Sequence, residues 1–264
     1  MTKFTRRSVL AGAAGLGAIG ATGTGVGLLG RRPYTHYTYA QTVGDTNDAV
    51  LRVAWYETYN GQVEETQGSV DSDANATLDT GTDPAYVGEA PGPIVDLDGV
   101  MPGDSGSLTI GLEAVEQPAT VWFRVLVGAT DENGINEPEA KAGDTTAAQG
   151  ELQDHVSVRL WRDEGVFDSG VGRCDGRYTS GERQFTDGQV PLGTVAGEYP
   201  DGEPLVDCLE PGANYCVGLT WDLPADTGNE IQTDSVDFSL EFVGIPCSET
   251  CNPFTGECEE VTAE

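Results

Sequence analysis

The chain has 264 residues, of which 44 are acidic and 13 are basic, and its formal net charge is −31 at pH 7. A surface this negative repels nucleic acid and anionic lipid, so neither is an expected partner. Molar salt relieves such repulsion, because the Debye length there falls to about 3 Å, and we expect a protein of an extreme halophile. Most of its Asp and Glu side chains are then expected to solvate the surface.

Residues 1–40 are predicted to be an export signal. Arg6 and Arg7 stand before an uncharged run at residues 9–30 that is rich in Gly, Ala and Leu. Adjacent arginines at this place indicate the twin-arginine route, which exports folded proteins. The run is long enough for a membrane helix, but its many glycines favour a cleaved signal. We expect cleavage after Ala40, membrane contact only through the uncleaved signal, and a location outside the cell or at its surface.

Five segments alternate apolar and polar residues with a period of two, which predicts β-strands. Their apolar positions are Leu51, Val53 and Trp55; Leu108, Ile110 and Leu112; Val156, Val158 and Leu160; Tyr215, Val217, Leu219 and Trp221; and Val236, Phe238, Leu240 and Phe242. Residues 119–129 are apolar on both faces and are expected to form a central strand that is covered on both sides. With Gly and Pro turns between the segments, the pattern predicts one antiparallel, all-β sandwich over residues 41–246.

Two acidic inserts, residues 61–93 and 130–150, have too few apolar side chains for a core and are expected to be surface loops. Calcium takes oxygen ligands in Gly-containing turns, and the DENG turn of the second insert offers such oxygens, although without EF-hand spacing. The candidate calcium ligands are Asp131, Asn133, Glu137 and Asp144. A solvated loop is the competing interpretation. In the first insert, Asn75 begins a glycosylation sequon.

All six cysteines lie in the exported part of the chain, which indicates an oxidising compartment. Their connectivity is open, and the first choice is Cys251 with Cys258, which close the short loop CNPFTGEC. A second choice pairs Cys174 with Cys208. Residues 247–264 form an acidic, Cys-containing tail, and the absence of His and CxxC spacing there favours disulfides over a metal site.

Several segments resemble the TasA/camelysin family in its halophilic archaeal form. They are an export signal leading into LRVAWYETYNG, then VMPGDSGSLTI, DENGINEPEAKAGD, GELQDHVSVRLWRDEG and WDLPADTGNEIQTDSVDFSLEF, and they extend over about residues 51–247. The resemblance implies a jelly-roll-like sandwich at the cell surface, where members build biofilm-matrix fibres or pili and some were described as metalloproteases. The chain departs from the family pattern in the insert after Gly61 and in the tail after Cys247.

No catalytic residue is assigned. The chain has two histidines, His36 in the segment predicted to be removed and His155, which we expect to be exposed on a strand, so a zinc-protease ligand set is not available. The GDSG sequence at residues 103–106 resembles a serine-protease nucleophile motif. Its position between Pro102 and a predicted strand favours a turn instead. Calcium is the only cofactor considered.

The expected function is that of a structural subunit of an extracellular fibre, pilus or biofilm matrix, which polymerises with copies of itself. If cleavage leaves part of it, a Thr/Tyr/Val-rich arm at about residues 34–43 would be donated to the sheet edge of a neighbouring copy. Two alternatives stay open, a monomeric cell-surface adhesin or carbohydrate-binding module, and a camelysin-like surface protease. For the sugar-binding alternative, alternation assigns Trp55 and Trp221 to the core and leaves Trp122 and Trp161 undecided.

Overall fold

A computed structural model describes residues 50–63, 92–115, 117–165 and 173–256, together with Tyr34, Cys258 and the backbone of residues 2–4, 36–41 and 85–86. Arg6, Arg7, Asn75 and most of the first acidic insert lie outside these residues. The described residues form two antiparallel sheets packed against each other, which confirms the predicted all-β sandwich.

The described elements are mostly strands, and the short helices among them all lie between β8 and β13. In chain order they are β1 (Thr2–Phe4), β2 (His36–Gln41), β3 (Val50–Tyr59), β4 (Gln62–Val63), β5 (Ala85–Tyr86), β6 (Ile94–Asp98), β7 (Ser105–Ala114), β8 (Ala119–Asp131), α1 (Glu137–Ala142), α2 (Leu152–His155), β9 (Ser157–Arg162), β10 (Val190–Pro191), α3 (Leu192–Glu198), β11 (Glu203–Leu209), β12 (Asn214–Asp222), a 3-10 turn (Asn229–Ile231) and β13 (Ser235–Pro246). No helix among the described residues is both long and apolar enough to cross a membrane.

The first sheet has the strand order β1, β6, β13, β8 and β11, and the second has the order β10, β9, β12, β7, β3, β2 and β5. β4 forms a hairpin with β3. The pairings are antiparallel except for β1 on β6 and β5 on β2, which are parallel. The longest pairing joins β13 to β8, from Ser235 opposite Asp131 to Pro246 opposite Ala119.

The core lies between the two sheets and consists of the alternating residues that the sequence predicts to face inward. All of the apolar positions given above for the five predicted strands are buried. One boundary differs, because Val156 caps the C-terminus of α2 and β9 begins only at Ser157. Each large apolar side chain buried in this way contributes about 1.5–3 kcal/mol of transfer free energy.

The prediction that residues 119–129 are covered on both sides is wrong. β8 does lie between β13 and β11, but only its inner face is fully buried, and side chains of its outer face such as Trp122 and Arg124 are half-buried. A two-layer sandwich has no third layer to cover that face. The C-terminal tail covers part of it, since the Arg124 guanidinium lies 4.5 Å from the centre of the Phe254 ring.

Three disulfides cross-link the fold. The predicted Cys251–Cys258 bond is present. The predicted Cys174–Cys208 bond is wrong, because Cys174 pairs with Cys216 and Cys208 pairs with Cys247. The sheet explains the second pair. Leu209 and Pro246 both lie opposite Ala119 of β8, so Cys208 and Cys247 meet at the same end of the first sheet.

We predict that a disulfide that closes a long loop stabilises the protein more than one that closes a short loop. In the chain-entropy description, the Cys174–Cys216 bond, with a sequence separation of 42, contributes about 4 kcal/mol, and Cys251–Cys258, with a separation of 7, about 2 kcal/mol. The double variants C174A/C216A and C251A/C258A, compared by denaturant unfolding at fixed molar salt, should show these losses in that order. A larger loss for the tail pair would contradict the prediction.

Candidate functional site

Five acidic side chains converge where the 130–150 insert meets the beginning of β13, and we call them the carboxylate cluster. They are Glu132, Glu139, Asp144, Glu151 and Asp234. One oxygen from each of Glu132, Glu139 and Asp234 lies within 4.8 Å of the others, and the same holds for Glu132, Asp144 and Glu151. Glu132 is common to both groups and is therefore the centre of the cluster.

Strand pairing brings the distant parts of the cluster together. Glu132 directly follows β8 and Asp234 directly precedes β13, and the two strands are paired with Asp131 opposite Ser235. The insert then returns to the same place, since the Gly150 N–H donates to the Thr130 carbonyl oxygen at 3.2 Å. As a result, residues that are about a hundred positions apart share one small volume.

The insert is folded, which corrects the expectation that residues 130–150 form only a solvated loop. α1 begins with a capping box: the Glu139 N–H donates to Asn136 Oδ1 at 3.1 Å, and the Asn136 N–H donates to Glu139 Oε2. The helix ends at Gly143, whose φ of 103° is accessible to glycine at little cost. The N-x-x-E spacing in INEPEA is a sequence signal for this cap.

Glu139 joins α1 to Thr233, in the bend that precedes β13. It is fully buried, and its Oε1 accepts hydrogen bonds from the backbone N–H and the hydroxyl of Thr233, both at 2.6 Å. Burial acts to raise the pKa of Glu139, but the hydrogen bonds from Asn136 and Thr233 outweigh burial and hold the pKa below its ordinary value. Glu139 is therefore a charged anchor whose two oxygens are both engaged.

Glu132 has the opposite environment. Only 3% of its surface is exposed, and neither carboxylate oxygen accepts a hydrogen bond from any described residue. Burial, followed by the charges of Asp234 and Asp144, raises the pKa of Glu132 to about 7. Its protonated form can donate a hydrogen bond to Asp234, whereas its ionised form has no group among the described residues to compensate the buried charge.

The remaining members each have one oxygen engaged and one without a donor among the described residues. Asp144 Oδ1 accepts from the N–H and the hydroxyl of Thr146, both at 2.8 Å, and Glu151 accepts from the same hydroxyl. Asp234 Oδ2 accepts from the Glu151 N–H at 2.7 Å. Asp144 Oδ2, Glu151 Oε2 and Asp234 Oδ1 are left without a donor.

The pKa values of Asp144 and Asp234 are shifted in opposite directions. The backbone N–H of Thr146, followed by its hydroxyl, lowers the pKa of Asp144. Burial raises the pKa of Asp234, against the effect of the Glu151 N–H. No Lys or Arg in the described ranges forms an ion pair with the cluster, and Lys141 of α1 pairs with the exposed Glu137 at 2.5 Å. The charge of the cluster thus has no counterion from those ranges.

The structure brings one of the four predicted calcium ligands into the carboxylate cluster. Asp144 belongs to the cluster, whereas Glu137 pairs with Lys141 in solvent. Asp131 and Asn133 are exposed and line a separate groove on the first sheet, and the Asn133 amide donates to the Thr233 carbonyl oxygen at 3.1 Å. In a sequence this acidic, the side chains that will be buried cannot be told from those that stay in solvent, because burial depends on the tertiary structure.

The catalytic alternatives also have defined positions. His155 is the last residue of α2 and does not lie on a strand, which corrects the expectation, and its Nδ1 is 4.0 Å from Glu230 Oε1. The side chain of His36 lies outside the described residues. In the GDSG sequence the Asp104 N–H donates to the Met101 carbonyl oxygen at 2.8 Å, which closes the turn before β7.

The tryptophans pack rather than gather on a surface. Trp55, Trp161 and Trp221 are buried, and Trp122 is half-buried on the outer face of β8. The indole of Trp161, which the sequence left undecided, lies edge-on to Tyr178 with ring centres 6.0 Å apart. In the described part of the chain, the four indoles therefore do not form an exposed stacking platform of the kind that sugar-binding modules use.

A second buried acid holds the loop that carries Cys174. Asp163 is fully buried, its Oδ2 accepts from the Gly176 N–H at 2.7 Å, and burial raises its pKa to about 7. Nearby, Glu182 accepts from the Gly165 N–H at 2.9 Å and the Thr179 N–H at 2.6 Å, and burial raises its pKa as well. These two carboxylates therefore supply hydrogen-bond acceptors to backbone N–H groups of a loop that lies outside the sheets.

The N-terminal segment supplies one strand that pairs with β6 in the first sheet and one that pairs with β3 in the second. β1 covers the outer edge of β6, with Thr2, Lys3 and Phe4 opposite Val95, Asp96 and Leu97. β2 covers β3 over six residues, from His36 opposite Trp55 to Gln41 opposite Val50. Both covering strands come from the N-terminal segment, and β1 and nearly all of β2 lie within the residues predicted to be removed after export.

Comparison with known proteins does not assign the chain to a group. No protein-family profile matches it, and no curated protein matches it. Its function therefore has to be inferred from the carboxylate cluster, the sheet edges and the compartment.

We predict that Glu139→Ala destabilises the protein by about 2–4 kcal/mol, because it removes the capping box and leaves the half-buried Thr233 N–H without its acceptor. The matched control is Glu137→Ala on the same helix, which loses only an exposed ion pair and should cost less than about 0.5 kcal/mol. Denaturant unfolding at fixed salt measures both. Equal effects would show that Glu139 is not an anchor.

We also predict a pH effect from Asp163. Its raised folded-state pKa means that the folded protein holds a proton that the unfolded chain releases, so this contribution to stability is complete below about pH 4 and is lost as the pH rises through about 7. Asp163→Asn should reduce the fall in unfolding free energy between pH 5.5 and 8 by on the order of 2 kcal/mol. The exposed Asp187→Asn is the control and should leave the slope unchanged.

Proposed function

We propose that this protein is an exported structural subunit of an extracellular fibre, pilus or biofilm matrix, which assembles by strand donation between copies. The observation that carries the proposal is the covering of the β6 edge by β1, residues 2–4, inside the predicted export signal. Export would remove this cover and expose a strand edge. Three disulfides indicate an oxidising environment and support a location outside the cytoplasm.

Loss of β1 leaves a row of unpaired backbone groups along β6. Edges of this kind pair with strands of other chains unless charge, proline or bulges protect them. Val95 and Leu97 point into the core, so an added strand would extend an already ordered sheet. Cleavage after Ala40 would similarly remove five of the six residues of β2 and open the edge of β3.

The opposite edges are protected, which favours one direction of growth. β11 contains Pro204 and its register with β8 shifts twice, whereas β6, which carries the acids Asp96 and Asp98, has no proline and no register shift with β13. Cys208, near the end of β11, has a φ of 49°, outside the range of a regular strand. β10, at the edge of the second sheet, is only two residues long. Strand addition is therefore disfavoured at both places.

The donor in this proposal is the new N-terminal arm, from Gln41 to the start of β3. An arm that pairs with the β6 or β3 edge of a neighbour uses different surfaces on the two copies. Such a contact does not close on itself, so it propagates as a fibre. Covering by β1 and β2 before cleavage would keep the exported subunit from polymerising too early, and signal removal would be the trigger.

The test compares the mature protein with a variant that lacks residues 41–48. Electron microscopy of the cell-surface fraction should show filaments for the intact protein and none for the deletion. Filaments in both samples would exclude the arm as donor, and filaments in neither would favour a monomer. Removing residues 259–264 is a control deletion at the other end of the chain and should leave filaments intact.

A mixing experiment makes the test sharper. The deletion variant keeps its acceptor edge but cannot donate, so a small proportion added to intact subunits should cap growing ends and shorten the filaments. Unchanged filament length would contradict strand donation by this arm even if the deletion alone fails to assemble. The thermal unfolding of the variant, compared with that of the mature protein, establishes that it is folded.

A further inference from the structure

We propose that the carboxylate cluster binds a calcium ion between Glu132, Asp144 and Glu151, with Asp234 adjacent, and that this ion fastens the 130–150 insert to the sandwich. The inference is independent of the assembly proposed above. It rests on the positions of unengaged oxygens in the folded insert and not on the acidity of the chain.

The first observation is the state of Glu132. Glu132 is only 3% exposed, and both of its carboxylate oxygens lack a donor among the described residues. A buried carboxylate that is ionised and unpaired is costly, so it must either carry a proton or face a cation. Asp144 and Glu151, each with one oxygen that lacks a donor among the described residues, belong to the same group.

The distances fit one ion. Calcium–oxygen bonds are about 2.3–2.6 Å long, so two oxygens on opposite sides of one ion are about 5 Å apart, and adjacent ones are closer. The oxygens of Glu132, Asp144 and Glu151 all lie within 4.8 Å of one another. The other group, which includes Glu139, is a weaker choice because both Glu139 oxygens are already engaged by Asn136 and Thr233.

The chemistry favours calcium over other cations. Three carboxylates without nitrogen or sulfur donors suit a hard cation, and Ca²⁺ accepts irregular sets of oxygen ligands with both mono- and bidentate carboxylates. Mg²⁺ requires near-octahedral geometry and keeps several water ligands, and there is little room for such waters beside the buried Glu132. By analogy with extracellular calcium modules, we expect a Kd of about 10⁻⁴–10⁻³ M.

The ion would connect three parts of the chain. Glu132 follows β8, Asp144 lies just beyond α1, and Glu151 directly precedes α2, while the Glu151 N–H donates to Asp234, which directly precedes β13. An ion at this point would hold both ends of the insert against the first sheet. Since it binds only the folded form, it stabilises the protein by mass action.

The test uses the mature, disulfide-bonded protein, freed of metal with EDTA and kept in molar NaCl so that screening by the added salt is constant. Titration with CaCl₂ should show one saturable site by calorimetry. At about a hundred times Kd, calcium should raise the Tm by about 5–10 °C. The same concentration of MgCl₂ should raise it by much less.

Glu132→Gln is the decisive variant, because it keeps the shape of the side chain and removes its buried charge. It should fold without calcium at least as well as the parent protein and lose at least ten-fold in calcium affinity, together with the rise in Tm. Asp144→Asn should weaken binding in the same direction. Asp131→Asn, an exposed acid one residue from Glu132, is the matched control and should bind as the parent does.

Two results would overturn the proposal. In the first, calcium changes neither the Tm nor the calorimetric signal of the parent protein. The cluster then binds no calcium, and a proton neutralises the charge of Glu132. An equal calcium response in the parent, Glu132→Gln and Asp131→Asn proteins would assign the effect to the acidic surface in general.

Discussion

The antiparallel pairing of β8 with β13 places most of what is distinctive in this molecule. At one end, Ser235 lies opposite Asp131, which brings Glu132 and Asp234 together across about a hundred residues. At the other end, Pro246 and Leu209 share Ala119 as their partner, which brings Cys247 to Cys208. A slip of one residue in this register would turn the core face of β13 to solvent, so both ends depend on the buried side chains between them.

Burial divides the carboxylates into groups that the composition does not distinguish. The exposed acids need only water and salt, but each buried acid needs its own compensation. Glu139 receives hydrogen bonds from Asn136 and Thr233 and stays charged, whereas Asp163 receives one and has a pKa raised to about 7. Glu132 receives none from the described residues on either oxygen, which sets its environment apart from those of Glu139 and Asp163.

The inner faces of the strands could be predicted from sequence because side chains alternate with a strict period of two, and this holds for β3, β7, β12 and β13 alike. The cover of β8, the pairing of Cys174 and the place of His155 could not, because each depends on which elements meet in space. The capping box at Asn136 was readable from its N-x-x-E spacing. Asp234 carried no local signal, since only the register of β13 gives it its partners.

The cluster and the assembly edge are connected through the start of β13. In the part of the chain that the structure describes, β6 pairs on one side with β13, with Asp98 opposite Ser235, and on the other side with β1. If export removes β1, β13 would be the described strand that sets the register and twist of the exposed edge. Thr233 and Asp234, which precede that strand, are held by Glu139 and Glu151. A cation that tightens this end would reduce the motion of the edge on which a donated strand must align, and so would lower the entropy lost when a neighbour pairs with it.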